Sequence, residues 1–344
     1  MEIIRSVLSS FSRSLAIDLG TANTLIYLRG EGIVCDEPSM IAVHHGADGS
    51  REVLAVGEEA KRMWGRSPSS IIVSRPIREG AITDFETTGD LLRYFIKKVC
   101  GRRLLRPEII ICIPSGLTAV EKRAVVESAE SVGAHRVYLV EQAMAAAIGG
   151  GLPVTEPLGN LIIDIGGGTT DIALISLKGL VWSRSVRTAG DGIDQAIMGL
   201  IKRRYDMQIG ERTAEMIKIM LGSLRPDPEI NTLQIKGRDL STRRPKTVEL
   251  DDEEIRQAIL GPVHHLVESI HEGLEHTPPE LIADIAEQGM VLAGGGALLR
   301  NLDVFMSQET GLPTRVAADP LKTVALGAGK LLDDPSLLQD VMLN

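Results

Sequence analysis

Two stretches of the chain share one pattern of apolar and polar positions. Each has an apolar run, an Asp, one apolar residue, a Gly, a few small or hydroxyl residues, and a second apolar run. The first reads L-A-I-D-L-G-T-A-N-T-L-I-Y-L from Leu15 and the second L-I-I-D-I-G-G-G-T-T-D-I-A-L from Leu161. The pattern predicts a β-hairpin in each place, with a turn stripped of bulky side chains. Asp18 then matches Asp164, Gly20 matches Gly166 and Asn23 matches Thr169. Elsewhere strand and helix patterns alternate in both halves, which predicts an α/β architecture. A mixed stretch over 33–76, with turn residues Gly46, Asp48 and Gly49, reads as a small subdomain inserted in the first half. Helical spacing over 91–99 is followed by a buried-type strand over 108–113. Thr118 and Glu121 form a capping box for a helix that runs to about Ser131, where Gly133 supplies a stop. A strand over 136–140 leads into a small-residue helix from Glu141, Gln142 and Ala143.

The second half continues from its hairpin in the same alternating way. Ala189-Gly190-Asp191-Gly192 reads as a turn before a helix over 193–204, and Glu215, Lys218 and Gly222 mark another helix. Strands and loops over 225–250 make the region 193–257 a counterpart of the first insertion. A long helix over 251–276 leads to Met290-Val-Leu-Ala and then Gly294, Gly295 and Gly296, read as a strand, a glycine turn and a helix start.

The duplicated turns carry the candidate chemistry. Small residues let backbone N–H groups approach an anion. An Asp at such a turn cannot hold phosphate directly, because like charges repel. It suits a hydrated Mg²⁺ that bridges to phosphates, since that ion prefers carboxylate and water oxygens. One such turn alone is often no more than a glycine-containing hairpin; two with the same offsets point to a nucleoside triphosphate gripped by both. A glycine turn such as Gly294–Gly296 is weak by itself and becomes a nucleoside site candidate beside a phosphate hairpin.

Composition narrows the class. With 344 residues, 44% hydrophobic and 24% charged, the chain has room for two domains with their own cores. Aromatics are only 3%, so aliphatic residues and Met must fill those cores. A net charge of −9 without a long basic run argues against a nucleic-acid partner. Cys35, Cys100 and Cys112 are an odd number without a C-x-x-C pair and fit a reducing cytoplasm. His44-His45 and His264-His265 lack the spacing of a metal site. No stretch reaches the roughly 18 consecutive apolar residues of a spanning helix. At the N-terminus Ile3, Ile4, Val7, Leu8 and Phe11 recur at helical spacing opposite Arg5, Ser6, Ser9, Ser10 and Arg13. That is a short amphipathic helix for a membrane surface, or a face that packs on the protein itself.

Taken together, the two hairpins, the Glu-Gln-Ala-x-Ala-Ala link from Glu141 and the L-A-G-G-G-A-L-L-R-N-L turn from Leu292 resemble the actin and heat-shock-chaperone ATPase superfamily. Within it the chain is similar, nearly end to end, to the MreB family of bacterial actin homologues. The stretches that carry this are A-I-D-L-G-T-A-N-T-L-I-Y from Ala16, G-I-V-C-D-E-P-S from Gly32, I-D-I-G-G-G-T-T-D from Ile163, I-G-E-R-T-A-E from Ile209 and T-P-P-E-L-I-A-D-I from Thr277.

The resemblance implies an actin-like ATPase fold, with two lobes that each hold a core subdomain and a smaller inserted one. ATP and Mg²⁺ would sit in the cleft. Its implied boundaries are 1–14 for the N-terminal segment; 15–42, 77–157 and 326–344 for the first core subdomain, and 43–76 for its insertion. The second core subdomain would take 158–192 and 258–325, and its insertion 193–257. Thr21, Ala22 and Asn23 would line the first phosphate loop, and Gly166, Gly167, Gly168 and Thr169 the second. Glu215, Met216, Ile217 and Lys218 would contact ribose and base, and Gly294, Gly295, Gly296, Ala297 and Leu298 the adenosine. Asp18 and Asp164 would hold the hydrated Mg²⁺; helices from Ala143 and over 324–332 would act as hinges. Gln142 stands where these proteins usually carry Glu and is expected to orient the attacking water slowly, because an amide is a poor proton acceptor. Asp171 is a second water-orienting candidate, or else a solvated strand-end carboxylate, and Met220 replaces a common acid near the nucleotide. Arg102-Arg103-Leu104-Leu105-Arg106 sits where the family carries a membrane-entering loop, or else is a connector with buried leucines.

The function so implied is that of an ATP-dependent, membrane-associated filament protein. It would maintain rod shape by organising cell-wall synthesis, on the inner face of the cytoplasmic membrane, with itself and membrane proteins of the elongation machinery as partners. A small-molecule kinase of the same superfamily and a polymerising paralogue with little hydrolysis stay open as alternatives. A chaperone-like ATPase is disfavoured on the expectation that no substrate-binding domain follows Asn344.

Overall fold

The computed structural model describes residues 14–46, 49–101, 107–226 and 229–343. The chain divides into two compact units, one of residues 1–157, 175–180 and 321–344, the other of residues 158–174 and 181–320.

The first unit is built on a six-stranded sheet. Its strands include β1 (Ser14–Leu19), β2 (Asn23–Leu28), β3 (Gly32–Pro38), β9 (Glu108–Ile113), β10 (Arg136–Glu141) and the short β19 (Met342–Leu343), in the order β19-β10-β9-β1-β2-β3. β1 and β2 are antiparallel, as the first hairpin pattern predicts, while β1, β9 and β10 run parallel. Every residue of β1 is buried, which is why the strand reads as a nearly continuous apolar run. A separate three-stranded sheet of β4 (Ile41–His45), β5 (Arg51–Val56) and β6 (Ile71–Ser74) carries α1 (Glu58–Met63) over a small core around Met40, Ala42 and Ala60. The brief β7 (Ile77–Arg78) and β8 (Ala81–Ile82) pair precedes α2 (Phe85–Cys100), which Asp84 caps by accepting from the Thr87 N–H. α3 (Ala119–Ser131) opens on the predicted capping box of Thr118 and Glu121.

α4 (Gln142–Gly149) packs against α10 (Thr323–Asp333), and the fit is set by glycine. A Cβ on Gly149 would lie 1.9 Å from the Thr323 carbonyl oxygen, and one on Gly327 would lie 1.8 Å from that of Ala145. Backbone meets backbone here, so no side chain can turn aside to make room.

The second unit has a five-stranded sheet ordered β13-β12-β11-β17-β18, from β11 (Asn160–Ile165), β12 (Thr170–Ser176), β13 (Gly179–Val186), β17 (Met290–Ala293) and β18 (Thr314–Val316). α5 (Gly190–Tyr205), α6 (Glu211–Leu221), the capped α7 (Asp252–Glu275), α8 (Pro279–Gln288) and α9 (Leu302–Thr310) accompany it. A three-stranded sheet of β14 (Met207–Gln208), β15 (Thr232–Asp239) and β16 (Pro245–Asp251) fills the region read as strands and loops. Its core runs from Leu161 and Ile163 through Ile197 and Ile217 to Ile259 and Leu292.

Two of the boundaries that differ from the sequence expectation bear on the site. α5 starts at Gly190 rather than near Ile193, because its first N–H groups find acceptors: Gly190 donates to Gly166 O at 3.1 Å and Asp191 to Gly167 O at 2.7 Å. The glycines after β17 enter only a single 3₁₀ turn, Gly295–Leu298, and the next α-helix waits until Leu302. There the chain is drawn off to pair Arg300 with Ser223 and to accept the Leu224 N–H on Arg300 O at 3.0 Å. Among the described residues no helix is long and apolar enough to cross a membrane.

The helix crossing yields a paired prediction. Gly327→Ala is expected to destabilise the chain by about 1–3 kcal/mol through overpacking. Gly261→Ala, in α7 with nothing within 4 Å of the added carbon, is expected to stabilise it by about 0.5–1 kcal/mol. Urea unfolding midpoints of the two variants should therefore move in opposite directions from that of the wild type.

Candidate functional site

In the first unit the parallel strands end together. Asp18 pairs with Cys112, Cys112 with Val140, and Gln142 follows β10 at the start of α4. Register alone thus brings Asp18 and Gln142 to the carboxyl ends of the strands, where open α/β sheets bind ligands. Both are buried, and Gln142 Nε2 donates to Asp18 Oδ1 at 3.0 Å. Burial pushes the Asp18 carboxyl up from its ordinary 3.8 to about 6; the hydrogen bond from Gln142 pulls against this and the charge of Asp36 adds to it.

The turn that follows is held from behind. Gly20 N–H donates to Asn23 O at 3.1 Å, and a Cβ on Gly20 would lie only 2.6 Å from that oxygen. The buried Ser39 hydroxyl donates to Gly20 O at 2.6 Å and lies 2.8 Å from Thr24 Oγ1, while Ser39 N–H donates to Ala22 O at 2.9 Å. Asn23 Nδ2 donates to Asp36 Oδ1 at 3.1 Å. Carbonyls engaged on one side leave the shape of the turn fixed before any anion arrives. Thr21 is buried in it and Ala22 half-buried.

The second unit repeats the device. Gly166 N–H donates to Thr169 O at 2.9 Å, the counterpart of the Gly20–Asn23 bond. β11 pairs in parallel with β17, setting Asp164 beside Ala293, so the turn at 166–169 and the glycine turn share one end of the sheet. Gly294 has φ +77°, and a Cβ there would lie 2.3 Å from Ile165 O and 2.6 Å from Asp164 Oδ1. Only glycine lets the chain lie against that carboxylate. Asp171, near the start of β12, is buried, which rules out the solvated strand-end reading of it.

α6 presents the proposed nucleoside residues unequally. Met216 is exposed, while Ile217 turns its side chain into the core; in the 3₁₀ turn Leu298 is exposed and Ala297 is core. The side chains of Ile217 and Ala297 therefore line no ligand surface. Met220 is exposed on α6. Lys218 donates to Gly190 O at 3.1 Å and to Asp194 Oδ2 at 3.0 Å, with Asp194 Oδ1 in ion-pair contact at 3.0 Å. Burial pushes the Asp194 carboxyl up to about 6 although the Lys218 charge opposes it.

In each unit, taken by itself, these residues fit a hydrated divalent cation beside a phosphate group. Each unit offers a buried carboxylate with hard oxygens beside a turn whose glycine leaves no room for a side chain. Sequence reasoning passed over Ser39, Asp36 and Asp194. Ser39 and Asp36 lie in the D-E-P-S segment already singled out, so their signal was present; Asp194 shows none beyond its place one turn into a helix. The candidate membrane residues Ile3, Ile4, Val7, Leu8, Phe11, Leu104 and Leu105 lie outside the described residues.

The chain is similar to known proteins. Residues 12–340 match the family model described as MreB/Mbl protein. The cell shape-determining protein MreB of Escherichia coli K12 is 49% identical over 326 residues, 94% of each chain. The cell shape-determining protein Mbl of Bacillus subtilis 168 is 45% identical over 325 residues, 94% of this chain and 97% of its own. Among solved structures, MreB5 of Spiroplasma citri bound to ADP superposes with a TM-score of 0.89 at 36% identity, over 96% of this chain and 98% of that one. The MamK double helical filament, at 22% identity, reaches 0.79 over 94% of this chain and 99% of its own, and speaks for the fold alone. The fold is therefore actin-like, and with two glycine-lined turns each backed by a buried Asp, the chain belongs to the MreB/Mbl family.

Proposed function

We propose that this chain is an ATP-dependent, actin-like filament protein that works on the inner face of the cytoplasmic membrane and maintains rod shape by organising cell-wall synthesis. The observation that carries the reading is the repeated turn, with Asp18 and Asp164 each buried at the carboxyl end of a parallel strand. Relatives are named for determining cell shape, and MreB5 of Spiroplasma citri has been crystallised with ADP and with AMPPNP. This reading divides the chain into two core subdomains with insertions at 43–76 and 193–257. Filament growth follows from a head-to-tail contact between copies, which does not close on itself. The N-terminal segment and the segment with Leu104 and Leu105 add weak membrane contacts that many subunits multiply.

Within each chain, backbone N–H groups of Thr21, Ala22, Asn23 and of Gly167, Gly168, Thr169 hold the phosphates, and Asp18 and Asp164 hold hydrated Mg²⁺. When bound there, the ion would supply Lewis-acid neutralisation of phosphate charge. Gln142 and Asp171 orient the water that attacks the γ-phosphate. Gln142 donates one amide N–H to Asp18, and its carbonyl, the only acceptor of the side chain, can orient that water but is a poor proton acceptor, which supports slow hydrolysis. The same bond favours, as a second reading, assembly with little hydrolysis. α4 and α10, locked at Gly149 and Gly327, serve as the hinge helices.

Sedimentation with Mg-ATP, with and without anionic liposomes, tests the reading directly. Pelleting is expected to require nucleotide, to rise with liposomes and to fail in Asp164→Ala; phosphate release then separates slow hydrolysis from none. A chain that stays soluble under all these conditions contradicts it.

A second expectation concerns pH. Because the Asp18 carboxyl is raised from 3.8 to about 6, its contribution to stability is present below its ordinary value and lost as pH rises through about 6. Asp18→Asn should thus stabilise the nucleotide-free chain at pH 8, by about 1–3 kcal/mol, and gain nothing near pH 4. The same variant is expected to lose Mg²⁺-dependent ATP binding. Thermal unfolding at both pH values reads the first effect, and a variant less stable than wild type at pH 8 contradicts it.

A further inference from the structure

α5 and α6 are joined by a buried ion pair whose carboxylate, Asp194, the nucleotide reading does not use. Asp194 lies one turn into α5, nine-tenths buried, and faces Lys218 of α6, whose Nζ is 3.0 Å from each of its carboxylate oxygens. Lys218 also donates to Gly190 O, at the first residue of α5. Gly190 N–H and Asp191 N–H in turn donate to Gly166 O and Gly167 O of the second phosphate turn. A continuous chain of contacts therefore runs from Asp194 through Lys218 and the α5 N-terminus to the turn.

A lysine side chain has four rotatable bonds and in water would sample many rotamers. Here its ammonium group is fixed by one carboxylate and one carbonyl. Removing the carboxylate leaves a part-buried cation with a single strong acceptor, which frees it to move or to seek water. We infer that Asp194 is a positioning residue that holds Lys218 in register with the phosphate turn, so that the nucleoside and the phosphates of one ligand are met together. This inference rests on the reading of Lys218 as a nucleoside contact. Among the described residues Asp194 makes its side-chain contact with Lys218 and none with the phosphate turn; it acts through Lys218.

The test compares two ligands and one double-mutant cycle on the full chain. Mg-ATP and inorganic tripolyphosphate with Mg²⁺ are titrated into wild type, Asp194→Asn, Lys218→Met and the double variant, with unfolding midpoints as a fold control. Asp194→Asn is expected to weaken ATP about tenfold and tripolyphosphate less than about twofold. The double variant is expected to bind ATP as Lys218→Met does, because Asp194 has nothing left to position. Should Asp194→Asn fail to fold, Asp194→Glu, which keeps the charge but displaces it by one methylene, is expected to show the same ATP-selective loss. Unchanged ATP binding, equal losses for both ligands, or losses that add in the double variant would each overturn the inference. A wild-type chain that binds tripolyphosphate but gains nothing from the nucleoside removes the role of Lys218, and a chain that binds neither removes the nucleotide reading itself.

Discussion

A carboxylate taken out of water at the end of a buried strand is costly unless something nearby favours its charge. Asp18 is in that position, and its raised affinity for a proton records the cost. Nothing about the fold of the first unit demands an acid there, since β1 is buried along its length and would accept an apolar residue. In the proposed function that cost is offset when a hydrated cation binds beside the carboxylate. The second unit places Asp164 at the matching point of β11, against Gly294. Most other local features serve to keep these two carboxylates and their turns in place.

The supports differ between the units. In the first, Ser39 and Asp36 reach from the strand that follows the hairpin and tie down Gly20, Ala22 and Asn23. In the second, the start of α5 does this work, with Gly190 and Asp191 donating to the turn. One turn is backed by hydroxyl and carboxylate side chains, the other by the N-terminus of a helix that also answers to Lys218 and Asp194. The duplicated sequence thus encodes the turns and not their surroundings. Two copies of one motif can share a chemical task while responding to different neighbours.

Much of this was legible from residue order because the signals were local. The strand over 108–113 and the Thr118–Glu121 capping box depend on residues a few positions apart, and the structure has both as read. Both turns announce themselves by repetition. What the sequence could not show are pairings between distant positions: Gln142 with Asp18, Ser39 with Gly20, Lys218 with Asp194. The start of α5 was missed for the same reason, because its first N–H groups are satisfied by a turn more than twenty residues earlier. Ile217 and Ala297 show the converse. Motif position placed them among ligand contacts, while three-dimensional packing sends their side chains into the core.

We propose that the two turns serve one nucleotide, and equilibrium binding stoichiometry tests this most directly. Calorimetric titration of Mg-ATP, using a concentration below that at which filaments form, should give one nucleotide per chain, with affinity lost on Asp18→Asn and on Asp164→Asn alike. Two independent nucleotides per chain, or an affinity indifferent to one of the two carboxylates, would contradict the account.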